Sequence, residues 1–210
     1  MSVDKYKNFQ ELSQKHKDDV DYRIESGDRA SPFSVLAIHG GKIEPATSEI
    51  TRAIAGDDFN YYLFEGLQQH AWHLHLTSNN FDEPVASDLA GKSRACISIH
   101  GFKERHKRQV CIGGLNVKLK SLILENLLQT GLIEQKTANP LDKFHAEDKA
   151  NIVNRCAESG VQIEISRALR DLLLAHPDKM RIFASAIRKS LLDYAAQTCA
   201  PPLRPSKPGI

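Results

Sequence analysis

Only four cysteines (Cys96, Cys111, Cys156, Cys199) occur in the 210 residues, far apart and without a CxxC pair. That excludes a zinc knuckle and a dithiol redox motif. Three of them lie in apolar surroundings, RACISIHG, RQVCIGG and IVNRCAES, and read as buried free thiols. No apolar run approaches the roughly 20 residues that span a bilayer, so no membrane insertion is expected. The opening MSVDKYKNFQELSQKHKDDVDY lacks the apolar centre of a signal peptide, and synthesis in the cytoplasm is the expectation. A large excess of charge of one sign is also missing. With 28 basic and 26 acidic residues the formal charge is +2, too small for the whole surface to be a nucleic-acid footprint. Any charge selectivity must be local.

What is present is an ordinary globular composition, 41% hydrophobic and 26% charged, in a length suited to one core. A single domain is expected over residues 1–198. The remaining tail, residues 199–210, carries APPLRPSKPGI with four prolines and reads as extended or disordered. No internal repeat is visible.

The first 30 residues are polar and read as an entry segment with a short helix at Asn8 to His16. From Phe33 the run FSVLAIHGG is apolar and β-branched and stops at two glycines, as a buried strand ending in a tight loop does. PATSEITRAIAG is helical, with Pro45 in a first turn and Gly56 at the end. FNYYLFEG, WHLHLTS, RACISIHGF, RQVCIGG and GVQIEIS read as strands. PVASDLAGK, NVKLKSLILENLLQTG, RALRDLLLA and DKMRIFASAIRKSLLDYAAQ read as helices, and residues 132–149 as a surface loop. The alternation predicts an α/β fold: a mixed, mostly parallel sheet with helices on both faces.

Three of the predicted strands end in residues with metal or proton chemistry: His39, His100 and Glu164. In open α/β sheets such strand ends converge on one crevice. Catalytic zinc takes three nitrogen or oxygen ligands and leaves a position for water. His39 and His100 supply imidazoles, and Glu44, just beyond the Gly40-Gly41 turn, can reach the same ion. Glu164 is then the candidate acid and base, sharing a strand face with Gln162 and Ser166 while Val161, Ile163 and Ile165 share the other. An ion pair of Glu164 with Arg155 or Arg167 is the competing reading. In QHAWHLH, His73 and His75 lie two apart, so on a strand they point the same way. They read as packing beside Trp72, with His75 also placed to line a pocket.

The segments AIHGGKIEPATSEITRAIAG, LTSNNFDEP, CISIHGF, VCIGGLN, NIVNRC and GVQIEIS followed by RALR, in this order, resemble the poly-γ-glutamate hydrolase family of bacilli and their phages. The resemblance runs from about Tyr22 to Tyr194 and implies a fold related to the zinc carboxypeptidases. It also implies one Zn2+ on His39, Glu44 and His100, with Glu164 catalytic. Carboxypeptidases place their first histidine and glutamate three residues apart. Here the spacing is five, similar to the hydrolase family's own glycine-rich loop.

The substrate implied is a polyanion whose every unit keeps a free α-carboxylate. Lys103, Arg105, His106, Lys107 and Arg108 after His100 read as a basic rim or as a solvated loop, and Arg167 and Arg170 as carboxylate holders or structural ion pairs. The resemblance implies an endo-hydrolase acting on extracellular polymer; without a signal peptide, release by lysis is the simpler route, and a monomer is the expectation. Two other readings stay open: a zinc deacylase of a small acyl-amino acid, and a nucleic-acid-binding protein using the basic run near His100.

Overall fold

In the computed structural model, residues 4–134 and 144–199 are described. Residues 200–210 of the expected tail and residues 135–143 of the 132–149 loop lie outside them. Six strands form one sheet, in the order β1-β3-β2-β4-β6-β5. Strands β3 (Asn60–Gly66), β2 (Phe33–Gly41), β4 (Ala95–Phe102) and β6 (Val161–Ser166) run parallel in the centre. Strands β1 (Tyr22–Gly27) and β5 (Val110–Gly113) are antiparallel edges.

The central strands are buried on both faces, hence their near-continuous apolar runs. On one face, Val35, Ile97, Ile99, Val161, Ile163 and Ile165 join a core completed by four helices. These are α2 (Thr47–Ala55), α4 (Val117–Gln129), α5 (Arg167–Ala175) and α6 (Pro177–Cys199), with α6 packed on α2, α4 and α5. On the other face, Leu36, Ile38, Tyr62, Phe64 and Cys96 pack with Leu12, Leu76, Phe81, Leu89 and Ile152. That cover comes from α1 (Phe9–Ser13), α3 (Pro84–Lys92) and two 3-10 turns, Ala71–Leu74 and Ile152–Asn154. Cys96, Cys111 and Cys156 are buried, as read from sequence. Among the described residues no helix is long and apolar enough to cross a membrane.

Two expectations are corrected. WHLHLTS is not a strand: Ala71–Leu74 is a 3-10 turn that buries Ala71 and Leu74 and turns His73 Nδ1 back to the His70 carbonyl at 2.8 Å. The His–Leu alternation imitates period two, but burial at positions 71 and 74 fits the i, i+3 spacing of a 3-10 turn. The polar entry segment, in turn, contains β1, an edge strand whose burial is confined to Tyr22. Edge strands are read poorly by an apolar criterion because one side of their ladder faces solvent.

One irregularity positions the site. Between Ala37 and Gly40 the register of β2 on β3 shifts by one residue. Such a bulge resets the alternation of side chains, so His39 turns to the same face as Ile38, its Nε2 donating to the Leu76 carbonyl at 2.8 Å. The strand then turns at Gly41, at φ +62°, where a Cβ would stand 2.5 Å from the Gly66 carbonyl oxygen. Replacing Gly41 with alanine should therefore cost about 2 kcal/mol or more in denaturant unfolding. Gly91→Ala, in α3 with open space around it, should be neutral or stabilising by up to about 1 kcal/mol.

Candidate metal centre and active site

The chain passes from β2 to β3 on one side, then crosses to β4 on the other. This is the reversal point at which open α/β sheets form their ligand crevice. The β2–β4 ladder ends at Leu36 and Ser98, so the two strands part before His39 and His100. Glu44 is brought back to them by a closed loop: its N–H donates to the His39 carbonyl at 2.9 Å, and the Thr47 hydroxyl donates to the Glu44 carbonyl at 2.8 Å.

Three side chains meet there. His39, Glu44 and His100 each offer a ligand atom within 4.8 Å of the others, and all three are buried. Nδ1 of His39 lies 3.3 Å from Glu44 Oε1, and Nδ1 of His100 lies 3.7 Å from Glu44 Oε2. The two Nδ1 atoms are 3.1 Å apart. Their outer nitrogens are anchored, His39 Nε2 on the Leu76 carbonyl and His100 Nε2 on Ser98 Oγ, each at 2.8 Å. A carbonyl only accepts, so His39 carries its proton on Nε2 and turns Nδ1 to the site.

Electrostatics follow from this crowding. Burial works against the Glu44 charge, but His39 beside it, His100 and His75 together outweigh burial and hold the carboxyl down at about 2. The Gly101 N–H adds a 2.8 Å hydrogen bond to Glu44 Oε2. Burial also opposes charge on His39, whose pKa is nonetheless raised by Glu44. His100 is pushed down to about 3 by burial and then by His39. Two imidazoles and an ionised carboxylate, oriented by outer contacts, make a donor set that fits a divalent metal ion.

Glu164 lies beside His100 in the β4–β6 register. Its Oε1 accepts from Gln162 Nε2 at 3.0 Å, and Gln162 Oε1 accepts from Asn151 Nδ2, also at 3.0 Å. All three are buried. The arginines offered as ion-pair partners are engaged elsewhere. Arg155 donates to the carbonyls of Asn79, Phe81 and Ala150, and Arg167 pairs with Asp171 at 2.6 Å.

Arg170 is placed differently from the carboxylate-holding role read from sequence. It is 3% exposed, and its guanidinium donates to the backbone carbonyls of Pro45, Phe102 and Ile165. Those carbonyls adjoin Glu44, follow His100 and adjoin Glu164. A Cβ at Gly101 would collide with this guanidinium at 2.4 Å, so glycine is what lets Arg170 lie against the strand end. Arg170 therefore buttresses the site from beneath.

His75 does reach the site. Its ring stacks on His39 with centroids 4.1 Å apart and on Trp72 at 4.7 Å. Its Nδ1 bonds Asp4 Oδ1 at 2.9 Å, and Asp4 Oδ2 accepts from the Thr77 N–H at 2.7 Å. Lys103 and Arg105 are exposed, and Lys103 Nζ lies 5.6 Å from the Trp72 ring centre. Sequence reasoning missed Asp4, Asn151, Gln162 and the buttress. Only the inward face of VQIEIS hinted at Gln162.

The profile of the poly-gamma-glutamate hydrolase family matches residues 6–192. Protein YndL of Bacillus subtilis (strain 168) is 36% identical over 173 residues, 81% of this chain and 67% of its own length. The SPbeta prophage-derived protein YoqZ of the same strain is 35% identical over 172 residues, 81% of this chain and 61% of its own. The chain thus spans about two thirds of the length of these relatives. A bacteriophage poly-gamma-glutamate hydrolase superposes with a TM-score of 0.86 at 32% identity, covering 93% of this chain and all of that one. The zinc-free apo form of YNDL gives 0.84 at 31%, covering 91% and 99%. A Burkholderia mallei protein classed with the carboxypeptidases gives 0.50 at 10%, covering 84% and 60%, and shares the fold alone. With the family profile running from Tyr6, ahead of β1, to Leu192 in α6, the chain belongs to the poly-gamma-glutamate hydrolase family.

Proposed function

We propose that this chain is a zinc-dependent endo-hydrolase of the γ-glutamyl amide bonds of poly-γ-glutamate. The observation that carries the reading is the convergence of His39, His100 and Glu44 on one buried point, beside Glu164 on the next strand. Family membership and the likeness to a phage hydrolase support the polymer as substrate, and the zinc-free description of YNDL supports the metal.

In this reading His39 Nδ1, His100 Nδ1 and Glu44 hold the ion. Once bound, it supplies Lewis-acid activation of water and of the amide carbonyl. Glu164 takes a proton from the attacking water and returns it to the leaving nitrogen. Gln162, itself fixed by Asn151, keeps the Glu164 carboxylate in one orientation. Exposed Lys103 and Arg105 meet the carboxylates of the polymer, while Arg167 joins them only by leaving Asp171. His75 borders the site through its stack on His39. A polymer outside the producing cell, reached after lysis, suits such an enzyme, acting as a monomer.

The size distribution of purified poly-γ-glutamate tests the reading directly. Rapid shortening should be abolished by a chelator and restored by zinc, and early products should be oligomers. Intact polymer beside demonstrably zinc-loaded protein would sink it and favour a small-substrate deacylase. Among variants, His39→Ala and His100→Ala should lose bound zinc in metal analysis. Glu164→Gln should keep the zinc and lose about 10²–10⁴-fold in kcat. Arg170→Met should lower unfolding stability by about 2 kcal/mol or more and weaken zinc binding together, since its carbonyl partners lose a charged donor.

A further inference from the structure

The three stacked rings lead outward from the metal centre. His39 is buried, His75 half-buried, and Trp72, the only tryptophan of the chain, is 42% exposed. Interplanar angles of 27° and 28° keep the rings nearly parallel. Asp4 fixes the middle ring through Nδ1, so the indole has a set position relative to His39. Lys103, whose ammonium lies 5.6 Å from the indole centre, leaves the end of β4 three residues after His100. Lys103 is thus tied to the strand end that carries His100, and Trp72 to His39 through the ring of His75.

A partly exposed indole, one face backed by His75 and a lysine ammonium beside it, recognises a ligand with an apolar span and a negative charge close together. A γ-linked glutamyl unit has two methylenes in its main chain and a carboxylate on the next carbon. An extended α-linked residue covers about 3.3–3.6 Å, and a γ-linked unit, with two more main-chain bonds, covers more. Two ring steps of 4.1 and 4.7 Å therefore set the indole about one to two units from an amide held at the metal centre.

We infer that Trp72 and Lys103 form a substrate subsite, in which the methylenes of a neighbouring γ-glutamyl unit lie on the indole and its carboxylate pairs with the Lys103 ammonium. This rests on the poly-γ-glutamate reading above. The subsite makes the enzyme sensitive to polymer on one side of the cut and gives the polymer a direct contact with a single fluorophore.

The test is a titration of zinc-loaded Glu164→Gln protein with poly-γ-glutamate, followed by tryptophan emission, beside chain-shortening kinetics of the wild type. Emission should shift saturably, and Lys103→Gln should weaken the apparent Kd and flatten its salt dependence. Trp72→Ala should raise KM roughly 3- to 10-fold, more than it lowers kcat, and Trp72→Tyr should recover most of that loss. Polymer shortened by the wild type, with constant emission and an unchanged KM for Trp72→Ala, would overturn the subsite and leave the hydrolase standing. Shifted emission with polymer never shortened would keep the contact and overturn the hydrolase. Neither shift nor shortening would overturn both.

Discussion

One guanidinium holds the candidate active site together. Arg170 reaches from α5 beneath the sheet's end and donates to three carbonyls, next to Glu44, after His100 and next to Glu164. Arginine suits this because its donors are fixed in a planar fork and stay charged when buried. A buried cation needs compensation, and here carbonyl dipoles supply it, with the Glu44 carboxylate within electrostatic range. The loop after β2 and the ends of β4 and β6, remote in sequence, are tied to one side chain.

Above that side chain, each charge has a structural reason. A carboxylate as buried as Glu44 would ordinarily protonate. It stays ionised because His39 and the Gly101 N–H face it. The histidines cannot rotate away, since their outer nitrogens are bonded to Leu76 and Ser98. Glu164 is held through two amides in series, Gln162 and Asn151. The helices on the opposite face keep the four parallel strands in register, and the parting of β2 from β4 opens the space between them.

Much of this was legible in the sequence. β2, β4 and β6 announced themselves because strands covered on both faces read as unbroken apolar runs, and polar residues inside such runs, His39, His100 and Glu164, stood out. The five-residue step from His39 to Glu44 was visible through its two glycines. The rest depended on contacts that leave no local pattern. Arg170 binds carbonyls, which every residue carries, so nothing in RALR separates a buttress from a substrate ligand. The WHLHLTS segment alternates like a strand, yet its neighbours bury Ala71 and Leu74 and turn it into a 3-10 helix. The bulge that turns His39 inward is a matter of ladder register alone.

The placement of the buttress late in the chain orders events in time. During synthesis, β2, its glycine loop and Glu44 emerge first, β4 follows, and Glu164 and Arg170 come only with the final third. Long-range pairings of this kind close late, so a ribosome-bound fragment holds donors without Arg170 beneath them. The candidate site is therefore complete only once β6 and α5 have joined the sheet.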